Sequence, residues 1–152
     1  MNDEQQRVAD LIRDAFHGVT LGNGVGLWQG QGLDDYADAK TIAAYRERDE
    51  KNDWPSISVD QLNRCHSSLC FFDAEGMRFH LPAFLLADLA GELSCGMDIT
   101  LAYLEDYRIN QFASLTDQQR RAVRTFLLLL EKKADEFVRP HIERALLEYW
   151  IE

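Results

Sequence analysis

The sequence is short of positive charge, with 16 lysines and arginines against 26 aspartates and glutamates and a formal net charge of −10. Binding to phosphates needs clustered Lys and Arg, so this balance argues against a nucleic acid partner. Residues 1–53 hold 11 acids against 6 bases, whereas residues 116–152 hold 7 of each. The acidic first part would steer a basic protein partner, although negative charge also serves simply to keep a protein soluble.

Long apolar runs are also missing, since the longest, Phe126–Leu130, is far too short to span a bilayer. The first ten residues are polar and acidic, unlike a secretory signal. The 3 cysteines are odd in number and without framework spacing, which is typical of reduced thiols. We therefore expect a cytoplasmic protein with no membrane partner.

Motifs for metal, cofactor or catalysis are missing as well. The 4 histidines lie far apart, and Cys65-His66 with Cys70 matches no zinc pattern. The glycine-rich stretch 18–32 lacks a full G-x-G-x-x-G, because Leu27 stands in place of the third glycine. We expect no metal, no cofactor and no catalytic residue in a recognisable motif. Whether the chain is an enzyme stays open, with a non-enzyme favoured.

Apolar residues recur at helical spacing over most of the chain, and side chains suited to helix capping precede several of these segments. Thr116 with Gln119 forms a capping box, and Ser58 and Asn2 or Asp3 are further caps. Asp34, Asp35 and Asp38 are expected in the first turn of a helix. The predicted helices are Asn2–Phe16, Leu33–Asp49, Ser58–Cys65, one from Pro82 to about Leu93, Thr116–Val138 and His141–Ile151, and Ile99–Tyr107 is either a helix or a strand, with a helix preferred.

The densest apolar segment, Leu69–Leu93, contains the clearest turn pattern. Asp73–Gly76 separates two short runs of aromatic and aliphatic residues, which predicts a β-hairpin over Leu69–Leu81. One face of this hairpin would be apolar and would need a cover, which the helix from Pro82 supplies. The fold class predicted is therefore mainly α, with about six helices and one short β-hairpin. The length of 152 residues fits a single globular domain, residues 1–152.

Residues for contact with a protein partner are sought among the acids of the first part and the tryptophans near them, because buried aromatic anchors and complementary charge dominate many interfaces. Both tryptophans also suit a structural role as core anchors under loops. The candidate contacts are Asp34, Asp35, Asp38, Glu47, Asp49, Glu50, Asp53, Trp28 and Trp54.

Two other interpretations remain open. In the first, the chain is a small enzyme or ligand-binding domain, with a pocket between the glycine-rich loop and the hairpin where Arg78 and His80 bind an anion. In the second, Leu128 and Leu129 widen the apolar stripe of the longest helix and join a homodimer.

A set of residues spread over the chain carries a resemblance: Ser67-Ser68-Leu69, Phe71–Phe84, Trp54, Leu115, Gln119, Phe126-Leu127, Tyr149-Trp150, Leu33–Tyr36 and Arg48-Asp49-Glu50. With these residues the chain resembles a bacterial family of small proteins of unknown function. The resemblance spans most of the chain, and its motifs are a turn, a proline and aromatic anchors, so it implies a fold and a bacterial origin and transfers no catalytic residue. By general profile, small acidic proteins of this kind often look like immunity proteins that neutralise a toxin.

Overall fold

The computed structural model describes all 152 residues, and its regular secondary structure is entirely helical. Nine α-helices are joined by loops, and two 3-10 turns, Trp54–Ser56 and His66–Cys70, lie between them. No helix combines the length and the apolar character that crossing a membrane requires. The α-helices are α1 Asp3–Ala15, α2 Leu27–Asp34, α3 Ala39–Arg48, α4 Val59–Arg64, α5 Ala74–Leu89, α6 Asp98–Ala102, α7 Asp106–Gln111, α8 Asp117–Lys133 and α9 Arg139–Glu148.

The predicted capping residues are confirmed at the starts of α1, α4 and α8. At each start the side chain of the capping residue, Asn2, Ser58 or Thr116, accepts the backbone N–H three residues on. The glutamine at that position in turn accepts the backbone N–H of the capping residue. These reciprocal bonds satisfy two N–H groups that the helix itself leaves unpaired.

The predicted β-hairpin near Leu69–Leu81 is wrong. Asp73 does not begin a turn between strands but caps α5, and its carboxylate accepts the N–H of Gly76 at 2.8 Å. α5 then continues through Pro82, which lies inside the helix and not at its start. The apolar residues on both sides of Asp73–Gly76 show no helical period, because α5 is buried around most of its circumference and so has little amphipathic pattern.

The number of helices was also underestimated. The predicted helix Leu33–Asp49 contains only the last two residues of α2, then a turn at Tyr36, and then α3. The ambiguous segment Ile99–Tyr107 contains α6 and the start of α7, and α8 ends at Lys133, before the predicted end at Val138.

Helix α5 is the centre of the core, where it contacts α1, α4, α7 and the turn Trp54–Ser56. The carbonyl of Leu69, which a strand ladder would have paired, accepts hydrogen bonds from Arg108 and Gln111 of α7. Gln111 also donates to the carbonyl of Phe72 at 2.8 Å. Side chains of α7 therefore satisfy the backbone that leads into α5.

Candidate protein-binding surface

The turn between α2 and α3 carries four exposed side chains, Asp34, Asp35, Tyr36 and Asp38. Asp38 caps α3 and accepts the N–H of Thr41 at 2.7 Å, and this hydrogen bond lowers the pKa of its carboxyl. Asp34 and Asp35 lie instead at the C-terminal end of α2. The sequence predicted both in the first turn of a helix. In the structure they face the negative end of a helix dipole, which disfavours carboxylates.

Tyr36 has a left-handed backbone conformation, with φ of 55°, and no other residue except glycine has a positive φ. Its side chain is 95% exposed. The left-handed conformation costs a residue with a Cβ roughly 1–2 kcal/mol relative to glycine. Sequence reasoning missed Tyr36, because its segment was predicted to be the first turn of the helix Leu33–Asp49. An aromatic residue among three aspartates was the available signal.

The end of α3 and the loop after it carry a second group of acids, Glu47, Asp49, Glu50 and Asp53. Glu47 and Asp53 are exposed. The Glu50 carboxylate accepts three consecutive backbone N–H groups, those of residues 51–53, at 3.0–3.1 Å. These hydrogen bonds lower the pKa of Glu50. Glu50 is therefore exposed but already holds the loop in its turn.

Asp49 is buried, with 6% of its surface exposed, and its two carboxylate oxygens accept the N–H groups of Trp28 and Gln29 at 2.8 and 3.1 Å. Desolvation by burial raises the pKa of the Asp49 carboxyl, although these hydrogen bonds oppose the shift. A Cβ at Gly26 would collide with the carboxylate. Asp49 thus caps α2 from a distance in sequence, and its carboxylate is engaged within the fold.

The two tryptophans differ in exposure. Trp54 is buried, and its indole Nε1 donates to the carbonyl of Phe16 at 2.9 Å. Trp28 is half-buried, with its ring centroid 6.2 Å from that of Tyr45. Trp28 also borders a polar cleft of about 370 Å³ that includes Arg48 and Gln61. Of the two, Trp28 is the one that a partner can reach.

The exposed acids of this surface have no ion-pair partner within the chain. Two nearby bases donate to backbone carbonyls instead: Arg46 donates to the carbonyl of Gly22, and the Lys51 ammonium donates to the carbonyls of Glu47 and Asp49. The four ion pairs of the structure are Arg13–Asp10, Arg64–Asp60, Lys132–Glu4 and Arg144–Glu148.

Arg78 and His80, the alternative ligand-binding pair, lie on α5. His80 is fully buried between rings, stacked on Phe72 at a centroid distance of 4.4 Å. Its Nδ1 donates to the carbonyl of Gly76 at 2.7 Å, which leaves Nε2 without a proton or a partner. Burial lowers the pKa of His80 to about 4, so the ring is neutral at pH 7. His80 is therefore enclosed and uncharged within the fold.

Residues 18–26 of the glycine-rich stretch form a loop that packs directly on the start of α5, where the pocket was predicted, and residues 27–32 belong to α2. A Cβ at Gly24 would lie 2.6 Å from the backbone nitrogen of Gly76, and a Cβ at Gly76 would lie 2.6 Å from the carbonyl oxygen of Val25. Asp73 fixes this contact by also accepting the N–H of Val25 at 3.0 Å. The glycines therefore allow two backbone segments to touch.

The main cleft, of about 620 Å³, lies elsewhere, between the end of α1, the turn at Trp54 and α5. Its walls are largely apolar, and charged or polar side chains of Arg13, His17, Asp53 and Glu92 also line it. No group of three or more His, Cys, Asp or Glu side chains is placed to hold a metal ion. Of the two leucines considered for a homodimer, Leu129 is buried within the fold and Leu128 is 39% exposed.

Comparison with known proteins identifies a family but no activity. The family described as "Family of unknown function (DUF6714)" matches residues 4–152. The chain therefore belongs to that family. No curated protein and no solved structure matches the chain.

Proposed function

We propose that this member of a family of unknown function is a non-enzymatic protein-binding domain, most concretely an immunity-type inhibitor of a basic bacterial toxin. The observation that carries the proposal is a set of exposed carboxylates that make no ion pair within the chain. They are Asp34, Asp35, Asp38, Glu47 and Asp53.

The positions of three of these acids support a role outside the fold. Asp34, Asp35 and Glu47 lie at the C-terminal ends of α2 and α3. Carboxylates there are opposed by the helix dipole, typically by 0.3–1 kcal/mol each, whereas lysine would be favoured. Charge that the helix dipole opposes and that no base of the chain pairs is well placed to attract lysines and arginines of a partner. Such attraction mainly accelerates association and weakens in salt.

An affinity capture tests this function. The tagged chain is used as bait in an extract of the bacterium that encodes it, at low and at high salt. We expect one predominant basic protein that is released at high salt. The captured protein is then produced alone in bacteria and together with the chain. If the partner alone arrests growth and co-production of the chain restores growth, the result supports an immunity function. A partner that is not toxic, or the absence of a basic partner, contradicts that function.

A second candidate function is binding of an apolar small molecule, which the volume and lining of the main cleft favour. Thermal melting in the presence of a panel of apolar compounds tests it. A compound that raises the melting temperature of the wild-type chain, but not of a Leu86→Arg variant in the cleft wall, would support ligand binding. A panel without effect would remove the case for the cleft.

A further inference from the structure

Two helices of the chain end in the same hydrogen-bonded turn. At the end of α5, the N–H of Glu92 donates to the carbonyl of Ala87 at 3.0 Å, and Gly91 has φ of 74°. At the end of α2, the N–H of Ala37 donates to the carbonyl of Gly32 at 3.0 Å. Glycine is the usual residue at the left-handed position of this turn. The corresponding residue of α2 is Tyr36.

The Tyr36 side chain does not pack against the rest of the fold. It is 95% exposed, more than any other large apolar or aromatic residue, and takes part in no aromatic or cation–π pair. Phe137, the next most exposed aromatic ring, is 75% exposed and has a negative φ. The backbone favours glycine at position 36, and the packing makes no use of a ring there.

We propose that Tyr36 is the principal contact of the chain with its protein partner, and that the partner places an arginine or lysine over the tyrosine ring. This inference rests on the proposed protein-binding function. Tyrosine is over-represented among residues that dominate interfaces, since its large ring has few rotatable bonds to immobilise. A cation over the ring face is attracted by the ring's electrons.

The negative charge around the Tyr36 ring favours a basic protein as the partner that binds there. Asp34, Asp35 and Asp38 lie within two residues of Tyr36, and Lys40 is the only base between residues 34 and 45. Nucleic acid bases could also stack on tyrosine, but the attached phosphates would meet three carboxylates. A second copy of the chain would bring the same carboxylates together, and the net charge of −10 opposes that association.

The test compares two full-length variants, Tyr36→Gly and Phe137→Ala, with the wild-type chain. Melting temperature is measured first. Tyr36→Gly should melt at or above the wild-type temperature, because glycine relieves the left-handed conformation. A Tyr36→Gly variant that melts several degrees lower would show that the ring supports the fold, and would overturn the inference.

Capture of the basic partner by the same three tagged chains is measured next. We expect at least a tenfold loss for Tyr36→Gly and no loss for Phe137→Ala. A photo-crosslinking benzophenone amino acid at position 36 should label this same partner, and one at position 137 should not. Equal capture by Tyr36→Gly and wild type would overturn the inference while leaving the proposed function standing. No basic partner for the wild-type chain would overturn both.

Discussion

The carboxylate of Asp49 accepts the backbone N–H of Trp28 at 2.8 Å, so a residue at the end of α3 caps the start of α2. Gly26 leaves the space that this carboxylate occupies. In sequence, Asp49 is one acid of a highly charged run. In the structure it differs from its neighbours, because it is buried and hydrogen-bonded while Glu47 and Asp53 are exposed.

Replacement of this cap should destabilise the fold. Asp49→Ala leaves the N–H groups of Trp28 and Gln29 without an acceptor in a half-buried place, and we expect a loss of about 1–3 kcal/mol in the free energy of unfolding. Asp53→Ala is the matched control, since that carboxylate is exposed and has no hydrogen bond to lose. Urea denaturation measures both. Equal midpoints for the two variants would contradict the structural role of Asp49.

The contact between the glycine-rich loop and α5 should not tolerate a side chain. Gly24→Ala places a Cβ 2.6 Å from the backbone nitrogen of Gly76, and overpacking of this kind typically costs about 1–3 kcal/mol. Gly96→Ala is the control, because its Cβ would meet nothing closer than 3.4 Å. Thermal melting is the measurement, and a Gly24→Ala protein as stable as Gly96→Ala would mean that loop and helix do not touch.

The buried His80 makes stability depend on pH. Its pKa in the folded state, about 4, lies below its ordinary value of 6.5, so the unfolded chain takes up the proton first as pH falls. The stability contribution is complete above pH 6.5 and is lost between about pH 6.5 and 4, by roughly 3 kcal/mol. Stability measured by urea denaturation across this range should therefore fall more steeply for the wild type than for His80→Phe.

The variant comparison is needed because Asp49 and Asp88 act in the opposite direction. Burial raises the pKa of both carboxyls, so the folded chain takes up their protons before the unfolded chain does, which adds stability as pH falls towards their ordinary range. His17→Gln, at an exposed ring, serves as the control. If the stability of His80→Phe depends on pH in the same way as that of the wild type, the lowered pKa of His80 is not the cause of the pH dependence.

The C-terminal segment is held by arginines of α8. Arg124 donates to the carbonyls of Leu146 and Trp150, and the Trp150 indole, which is buried, donates to the carbonyl of Leu101 at 2.9 Å. Arg124→Ala should loosen this segment and cost about 1–3 kcal/mol, because buried carbonyls lose a charged donor. We expect faster amide hydrogen exchange over residues 145–150 in Arg124→Ala than in the wild type, and no such increase in the Arg121→Ala control. Unchanged exchange would show that packing of Trp150 alone secures the end of the chain.

The features that the sequence predicted correctly are those that depend on residues close together along the chain. The caps at Asn2, Ser58 and Thr116 were identified because a capping box is complete within four residues. The hairpin was wrong for a related reason: an aspartate followed three residues later by a glycine fits both a turn and a helix cap. Only the burial of α5 around most of its circumference decides between them.

The candidate surface was predicted in part. Exposure of Asp34, Asp35 and Glu47 follows from their polarity, and the sequence suffices for that. The burial of Asp49 depends on a helix start about twenty residues away, and the left-handed turn at Tyr36 depends on where α2 stops. The contact of Asp49 with α2 leaves no local pattern in the sequence. The turn at Tyr36 is local, with its hydrogen bond between Ala37 and Gly32, but no glycine stands at its left-handed position to mark where α2 stops.

The most direct test of the proposed surface is the dissociation constant of the captured basic partner, measured by calorimetry. The test chain carries Asp34→Lys, Asp35→Lys and Glu47→Lys, and the control carries Glu136→Lys, Glu143→Lys and Glu152→Lys, which changes the net charge equally at exposed sites of the neutral C-terminal part. Lysines near helix C-termini suit the dipole, so the test chain should fold at least as stably as wild type. We predict binding at least tenfold weaker for the test chain, about 1.4 kcal/mol, and near wild-type binding for the control. If the two variants bind the partner with equal affinity, the surface that carries Asp34, Asp35 and Glu47 is not the binding site.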